Sequence, residues 1–143
     1  MVVKLQVTCI FGRFLEEECV RTIAMDDSSS LYDLHDMIQA AVSFERDHPF
    51  TFYTANSGSP WAERTWIADE EDWVAMECAF ERTKLADIWP LGRKKLYYWF
   101  HFGDKWIFEI RKMRSNKDDA KLPVPVILEK VGPNPRQYGP ECF

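Results

Sequence analysis

Residues Leu96–Met113 read LYYWFHFGDKWIFEIRKM, and the way this stretch folds back on itself decides the rest of the chain. Two runs of strand-forming aromatics meet at Gly103-Asp104, a pair that accepts the positive φ of a tight hairpin turn. A two-residue loop there sets Phe102 opposite Lys105, and on the same ribbon His101 opposite Trp106, Trp99 opposite Phe108 and Tyr97 opposite Ile110. The other face then carries Phe100 with Ile107, Tyr98 with Glu109 and Leu96 with Arg111. Apart from His101 the first face is apolar and is assigned to the core. The second is mixed and suits a partly covered sheet face. A three-residue loop would shift the pairing and these assignments with it.

Working outward, 143 residues make one domain, 1–143, long enough to bury about two-thirds of its unfolded surface. The 15% aromatic content is high and points to a core rich in large rings. A net charge of −5 argues against nonspecific binding to nucleic acid or to an anionic membrane, since both need a cationic field. The basic clusters Arg93-Lys94-Lys95 and Arg111-Lys112-Met113-Arg114 are short and read as solvated surface. Cys9, Cys19, Cys78 and Cys142 show no metal-like spacing, no leader precedes Val2, and no run reaches the roughly 20 apolar residues of a membrane span. A cytoplasmic protein with reduced thiols is expected.

Val3, Leu5, Val7, Cys9 and Phe11 alternate as a half-buried strand, and Cys19 to Met25 reads as its returning partner. In that hairpin Cys9 falls near Arg21, which disfavours a Cys9–Cys19 disulfide. Ser30 with Asp33 three residues on resembles a capping box, after which Leu31, Leu34, Ile38, Ala41 and Val42 recur at helical spacing. His35 lies at the rim of that stripe. Phe50 to Thr54 is a third strand. Strand, strand, helix, strand is a β-grasp-like opening, so the expected fold is α+β: a mixed sheet with one main helix, extended by the aromatic hairpin. A second helix is expected from about Glu70 to Arg82 and a helical turn from Thr83 to Trp89. Residues 114–143 form a largely extended, Pro-rich tail packed on the domain, with Val124, Val126 and Leu128 as an edge strand.

Leu34-His35, the His48-Pro49-Phe50 approach to the third strand, Lys84-Leu85-Ala86-Asp87 and, above all, Tyr98-x-Phe100-x-Phe102-Gly103-Asp104-x-Trp106 carry a family resemblance. The chain resembles the plasmid pRiA open-reading-frame-three-like family over nearly its whole length, through the Pro-rich segment ending at Tyr138. The family usually has an Asp where His101 stands, and often a His where this chain has Phe108, so a polar site built on those positions is altered here. The resemblance implies a single α+β domain of bacterial, archaeal or mobile-element origin and no particular activity.

His35, His48 and His101 are the chain's three histidines, and with Asp104 they are the candidates for a catalytic site. Three of the four have a plainer explanation: packing for His35 and His101, turn formation for Asp104. No His-x-x-x-His pair, Gly-x-Ser-x-Gly or phosphate-cradling glycine loop occurs, and neither a metal nor another cofactor is expected. Tyr98, Phe100, Trp106 and Arg111 are the candidates for ligand contact, because the aromatics exceed what one sheet face can bury. The favoured reading is a non-enzymatic binding or interaction module with a protein or small-molecule partner, monomeric or weakly dimeric. The alternatives are a small metal-dependent or His/Asp hydrolase and a nucleic-acid-binding protein of plasmid or transposon origin, with nucleic acid the less favoured partner.

Overall fold

The alternation read at the N-terminus builds β1 (Val2–Phe11), in which Val3, Leu5, Val7 and Cys9 are all buried. A computed structural model describes residues 1–138 and continues with β2 (Val20–Asp26), α1 (Leu31–Val42), β3 (Phe50–Ala55), β4 (Thr65–Trp66) and α2 (Trp73–Arg82). The aromatic stretch supplies β5 (Lys95–Phe100) and β6 (Trp106–Lys112), and β7 (Val126–Val131) follows. The strands form one seven-stranded sheet in the order β4-β3-β5-β6-β1-β2-β7. The fold is α+β.

Every pairing in the sheet is antiparallel, where a β-grasp-like arrangement calls for a mixed sheet. The hairpin is the reason. β5 and β6 insert between β3 and β1, so the third strand meets β5 and does not return to the first hairpin. The helices lie over one face. Ser30 and Asp33 cap α1 reciprocally, as the sequence suggests, and Asp72 caps α2 through the Ala75 N–H. Leu31, Leu34, Ile38, Met76 and Phe80 pack with Leu5, Phe52 and Phe108 into the main core.

The aromatic hairpin forms, but not through a two-residue turn. Phe100 pairs with Trp106, Trp99 with Ile107, Tyr98 with Phe108, Tyr97 with Glu109 and Leu96 with Ile110. Residues 101–105 make the connection, closed by the Lys105 N–H donating to the His101 carbonyl at 2.8 Å. Positive φ falls on His101 (57°) and Lys105 (52°), not on Gly103 or Asp104. One contact from outside the hairpin and one within it hold this wider turn. The Arg13 N–H donates to the Asp104 carbonyl at 3.0 Å, and the Asp104 N–H donates to His101 Nδ1 at 3.1 Å. The longer loop moves the register by one residue, which turns one strand over. Trp106, Phe108 and Ile110 take the core face as expected, but their companions are Leu96, Tyr98 and Phe100. Tyr97 and Trp99 go to the outer face with Ile107.

Two smaller departures have local causes. A bulge between Cys9 and Phe11 turns Phe11 out of the core, leaving it 54% exposed. Gly12 follows because a Cβ there would lie 2.1 Å from Trp106 Cε3. Thr8 pairs with Val20, and the Cys9 N–H donates to the Cys19 carbonyl at 2.9 Å, so Cys9 faces Cys19 while Arg21 pairs with Val7. Both thiols are free and buried, and burial pushes Cys9 up to about 12.

The tail is fixed by buried polar groups. β7 pairs with β2, and the buried Arg21 guanidinium donates to the Val131 carbonyl at 3.0 Å and to Asn134 Oδ1 at 2.9 Å. Within the tail, expected to be largely extended, Lys117–Lys121 forms a short 3-10 turn capped by Asn116.

Candidate functional site

Three places collect the residues that carry chemistry, and they are separate. The first is sealed. His35 lies on the core side of α1, stacked on Phe50 with ring centroids 3.7 Å apart, and its Nδ1 is hydrogen-bonded to the Tyr98 hydroxyl. Gln39 Nε2 donates to the same hydroxyl at 3.0 Å, which leaves the Tyr98 proton for His35 Nδ1 and places the imidazole proton on Nε2. Burial, aided by the nearby Arg46 charge, pulls the His35 imidazole down to about 3. It is buried, neutral throughout the neutral range, and apart from the other two histidines. Tyr98, Phe100 and Trp106, three of the four ligand-contact candidates, lie fully inside this core, and a ligand arriving from solvent meets none of them. The one-residue register shift is what buried Tyr98 and Phe100. Arg111, the fourth candidate, is exposed and donates to Gln6 Oε1 at 2.8 Å.

The second place is the hairpin turn. His48 and His101 meet with ring centroids 3.7 Å apart, and His48 Nε2 lies 3.6 Å from Asp47 Oδ1. His101 Nε2 lies 3.5 Å from Asp104 Oδ2, while Arg13 Nη1 reaches Asp104 Oδ1 at 3.4 Å. Tyr138 and Gln137 close over this group by donating to the Asp47 carboxylate. Three of the four catalytic candidates are therefore brought together, and His35 is left on the far side of Phe100. The two imidazoles meet as rings, and among the described residues no group of three or more His, Cys, Asp or Glu converges so as to hold a metal ion. The polar atoms at Asp104 and His101 Nδ1 are occupied in shaping the turn.

The third place is the outer sheet face, where Trp99 stands between two depressions. On one side a cleft of about 260 Å³ is lined by Trp66, Trp73, Trp99, Phe102, Thr51 and Met76, with Asp69, Glu70, Glu71 and Asp72 along its rim. Its rings form a chain: Trp66 stacks on Trp99 at 6.2 Å, Trp99 meets Phe102 at 4.6 Å, and Phe102 meets Trp73 at 5.1 Å. On the other side a larger depression of about 510 Å³ is bounded by Phe11, Ile107, Lys105 and Arg64, whose guanidinium lies over Tyr53 at 4.6 Å and Trp99 at 5.2 Å. Thr51 is only 3% exposed, and its hydroxyl has no hydrogen-bond partner in the protein. Neither Trp66 nor Trp73 stands out in the sequence, because one sits in a two-residue strand and the other opens a helix. The acidic run from Asp69 to Asp72 leads into α2, which starts at Trp73 where the sequence suggests about Glu70.

The basic clusters lie at the opposite end of the hairpin. Leu96 pairs with Ile110, so Lys95 and Arg111 start and finish the same pair of strands. Lys95 is 3.7 Å from Glu109, while Arg93, Lys94 and Lys112 are exposed. No described helix is long and apolar enough to cross a membrane.

A seven-stranded antiparallel sheet with two helices on one face and an aromatic hairpin at its centre defines the fold of the chain. The chain belongs to the plasmid pRiA4b ORF-3-like protein family, which it matches over residues 4–137. Among solved structures it is similar to a protein of unknown function from Methanosarcina mazei Go1, at 20% identity and a TM-score of 0.63, over 90% of this chain and 68% of that one. At that identity the likeness is one of fold. A comparison with curated proteins gave no match.

Proposed function

We propose that this protein is a non-enzymatic binding module of bacterial or mobile-element origin, and that its ligand enters the outer-face cleft between Trp66 and Trp73. One observation carries the reading. Two tryptophans at the cleft mouth are 42% and 45% exposed on a chain that buries most of its other rings. Such a surface costs free energy when it is left wet, and concave apolar sites with a few polar groups are where small ligands and side chains bind. The expected use of the hairpin's exposed face is kept, but the residues change from Tyr98 and Phe100 to Trp99 and Phe102. The test is a nitrogen-labelled spectrum of the full chain with a library of neutral, anionic and cationic fragments. Hits should shift the indole signals of Trp66, Trp73 and Trp99. A library that moves none of the three removes this reading.

The His48–His101–Asp104 group supports a second reading, a small hydrolase, because its imidazoles meet beside two carboxylates. Hydrolysis of activated ester substrates that is lost in His48→Ala would favour it. The shared end of the two basic clusters supports nucleic-acid binding, which requires salt-dependent retention of an oligonucleotide at low ionic strength.

A further inference from the structure

We infer that the outer-face cleft recognises an alkylated ammonium cation; this rests on the reading of that cleft as the binding site. Three observations select the ligand's chemistry. The first is the ring arrangement. Trp66, Trp99, Phe102 and Trp73 form an unbroken series of aromatic contacts around the cleft, and tryptophan offers the most negative face of the natural aromatics.

The second is charge. Four carboxylates, Asp69 to Asp72, line the same cleft, no Lys, Arg or His lines it, and among the described residues none of the four is ion-paired. Asp72 spends one oxygen on the α2 cap. The other three precede the α2 N-terminus, where the helix dipole favours negative charge, and none of them is neutralised by a cation among the described residues. Across Trp99 the chain's own Arg64 already rests on the aromatic surface, whereas the acidic side of the same indole holds no cation of its own.

The third is a pair of unmet polar groups. Thr51 lines the cleft from β3, and its buried Oγ1, like the Nε1 of Trp99 beside it, has no partner in the protein. A buried hydroxyl of this kind costs free energy until something bonds it. Aromatic walls, a negative rim and two sparse hydrogen-bonding groups suit a bulky, weakly hydrated cation. They suit neither an anion, which the rim repels, nor a neutral hydrocarbon, which makes no use of the carboxylates. A guanidinium also stacks on aromatic faces, as Arg64 does across Trp99, so it is the competing cation that the titration has to separate.

The experiment is a calorimetric and NMR titration of the full chain with choline, with its uncharged isostere 3,3-dimethylbutan-1-ol, with guanidinium, and with a short peptide carrying trimethyllysine or unmodified lysine. Choline should bind at least tenfold more tightly than the isostere and more tightly than guanidinium, and it should shift the Trp66 and Trp73 indoles. The two peptide arms report whether the cation is taken as a free ligand or on a chain. Trp66→Ala and Trp73→Ala should each weaken choline about tenfold, while Trp73→Phe keeps most of the affinity. Both tryptophans are about half exposed, so these variants fold. Asp69→Asn with Glu70→Gln and Glu71→Gln, sparing the helix cap at Asp72, should weaken choline and flatten its salt dependence. Equal binding of the isostere, or a preference for guanidinium, overturns the cation assignment. So does silence toward choline while neutral fragments still shift the cleft indoles, and in that case the binding-site reading survives. Silence toward every fragment removes both.

Discussion

The two faces of the central hairpin are made from the same kinds of residue and end in opposite conditions. On the core face Tyr98, Phe100, Trp106 and Phe108 are sealed beneath α1 and α2, and Tyr98 satisfies its hydroxyl through His35 and Gln39. On the outer face Tyr97, Trp99 and Ile107 are covered mainly by the loop that follows β3, and beside Trp99 the cover stops. The difference teaches that aromatic content alone does not mark a ligand surface. What marks one is a ring left in water beside charges and polar atoms that have nothing to bind.

The contrast breaks most visibly under truncation. Phe100→Ala removes a fully buried ring from the core and should cost about 3–5 kcal/mol by chemical denaturation. Trp66→Ala on the outer face should cost less than about 1 kcal/mol in the same measurement. Comparable losses would mean that the outer cleft is part of the core.

Acid should test the sealed face next. His35 is held at about 3 in the fold, and the unfolded chain takes up the proton near 6.5. This contribution to stability is fully present above pH 6.5 and is lost as the pH falls from there toward 3, at about 1.4 kcal/mol per pH unit. Denaturation at pH 7 and pH 5 should therefore differ by about 2 kcal/mol through this residue. His35→Leu should be less stable at pH 7, because it leaves the Tyr98 hydroxyl proton without its acceptor, and less pH-dependent below 6.5. An unchanged slope would place His35 in solvent.

Thr51→Val sharpens the comparison at smaller scale. Replacing an unpartnered buried hydroxyl by a methyl should leave stability unchanged or raise it by up to about 1 kcal/mol, while lowering affinity for the cleft's ligand. A clear loss of stability would show that the hydroxyl has a partner in the free protein. Thiol chemistry should discriminate without changing stability. In a Cys142→Ser chain a disulfide reagent should modify the exposed Cys78 in the native state, and Cys9 and Cys19 only on unfolding.

Much of the fold was legible because it rests on local signals. The alternation of Val3, Leu5, Val7 and Cys9, the Ser30–Asp33 cap and the apolar stripe of α1 each specify their element without tertiary help. The hairpin was legible as a pair of strands but not in its register. Its turn is set by Arg13, ninety-one positions away, and by the His101 side chain, and neither belongs to the grammar of a two-residue loop. That single residue exchanged the sides of Tyr98 and Trp99, and with them the candidate ligand surface. His48, His101 and Asp104 do come together, as one reading of the histidines required, but His35 lies behind Phe100. The cleft itself was hidden because Trp66, Trp73, Trp99 and Phe102 come from four separate segments that only the folded sheet gathers.

The direct measurement is a crystal structure of the protein soaked with choline. Density for the trimethylammonium group between the Trp66 and Trp73 rings, with its charge facing the Asp69–Asp72 rim, is the result expected. Density beside His48 and His101, with the outer cleft empty, would contradict the account.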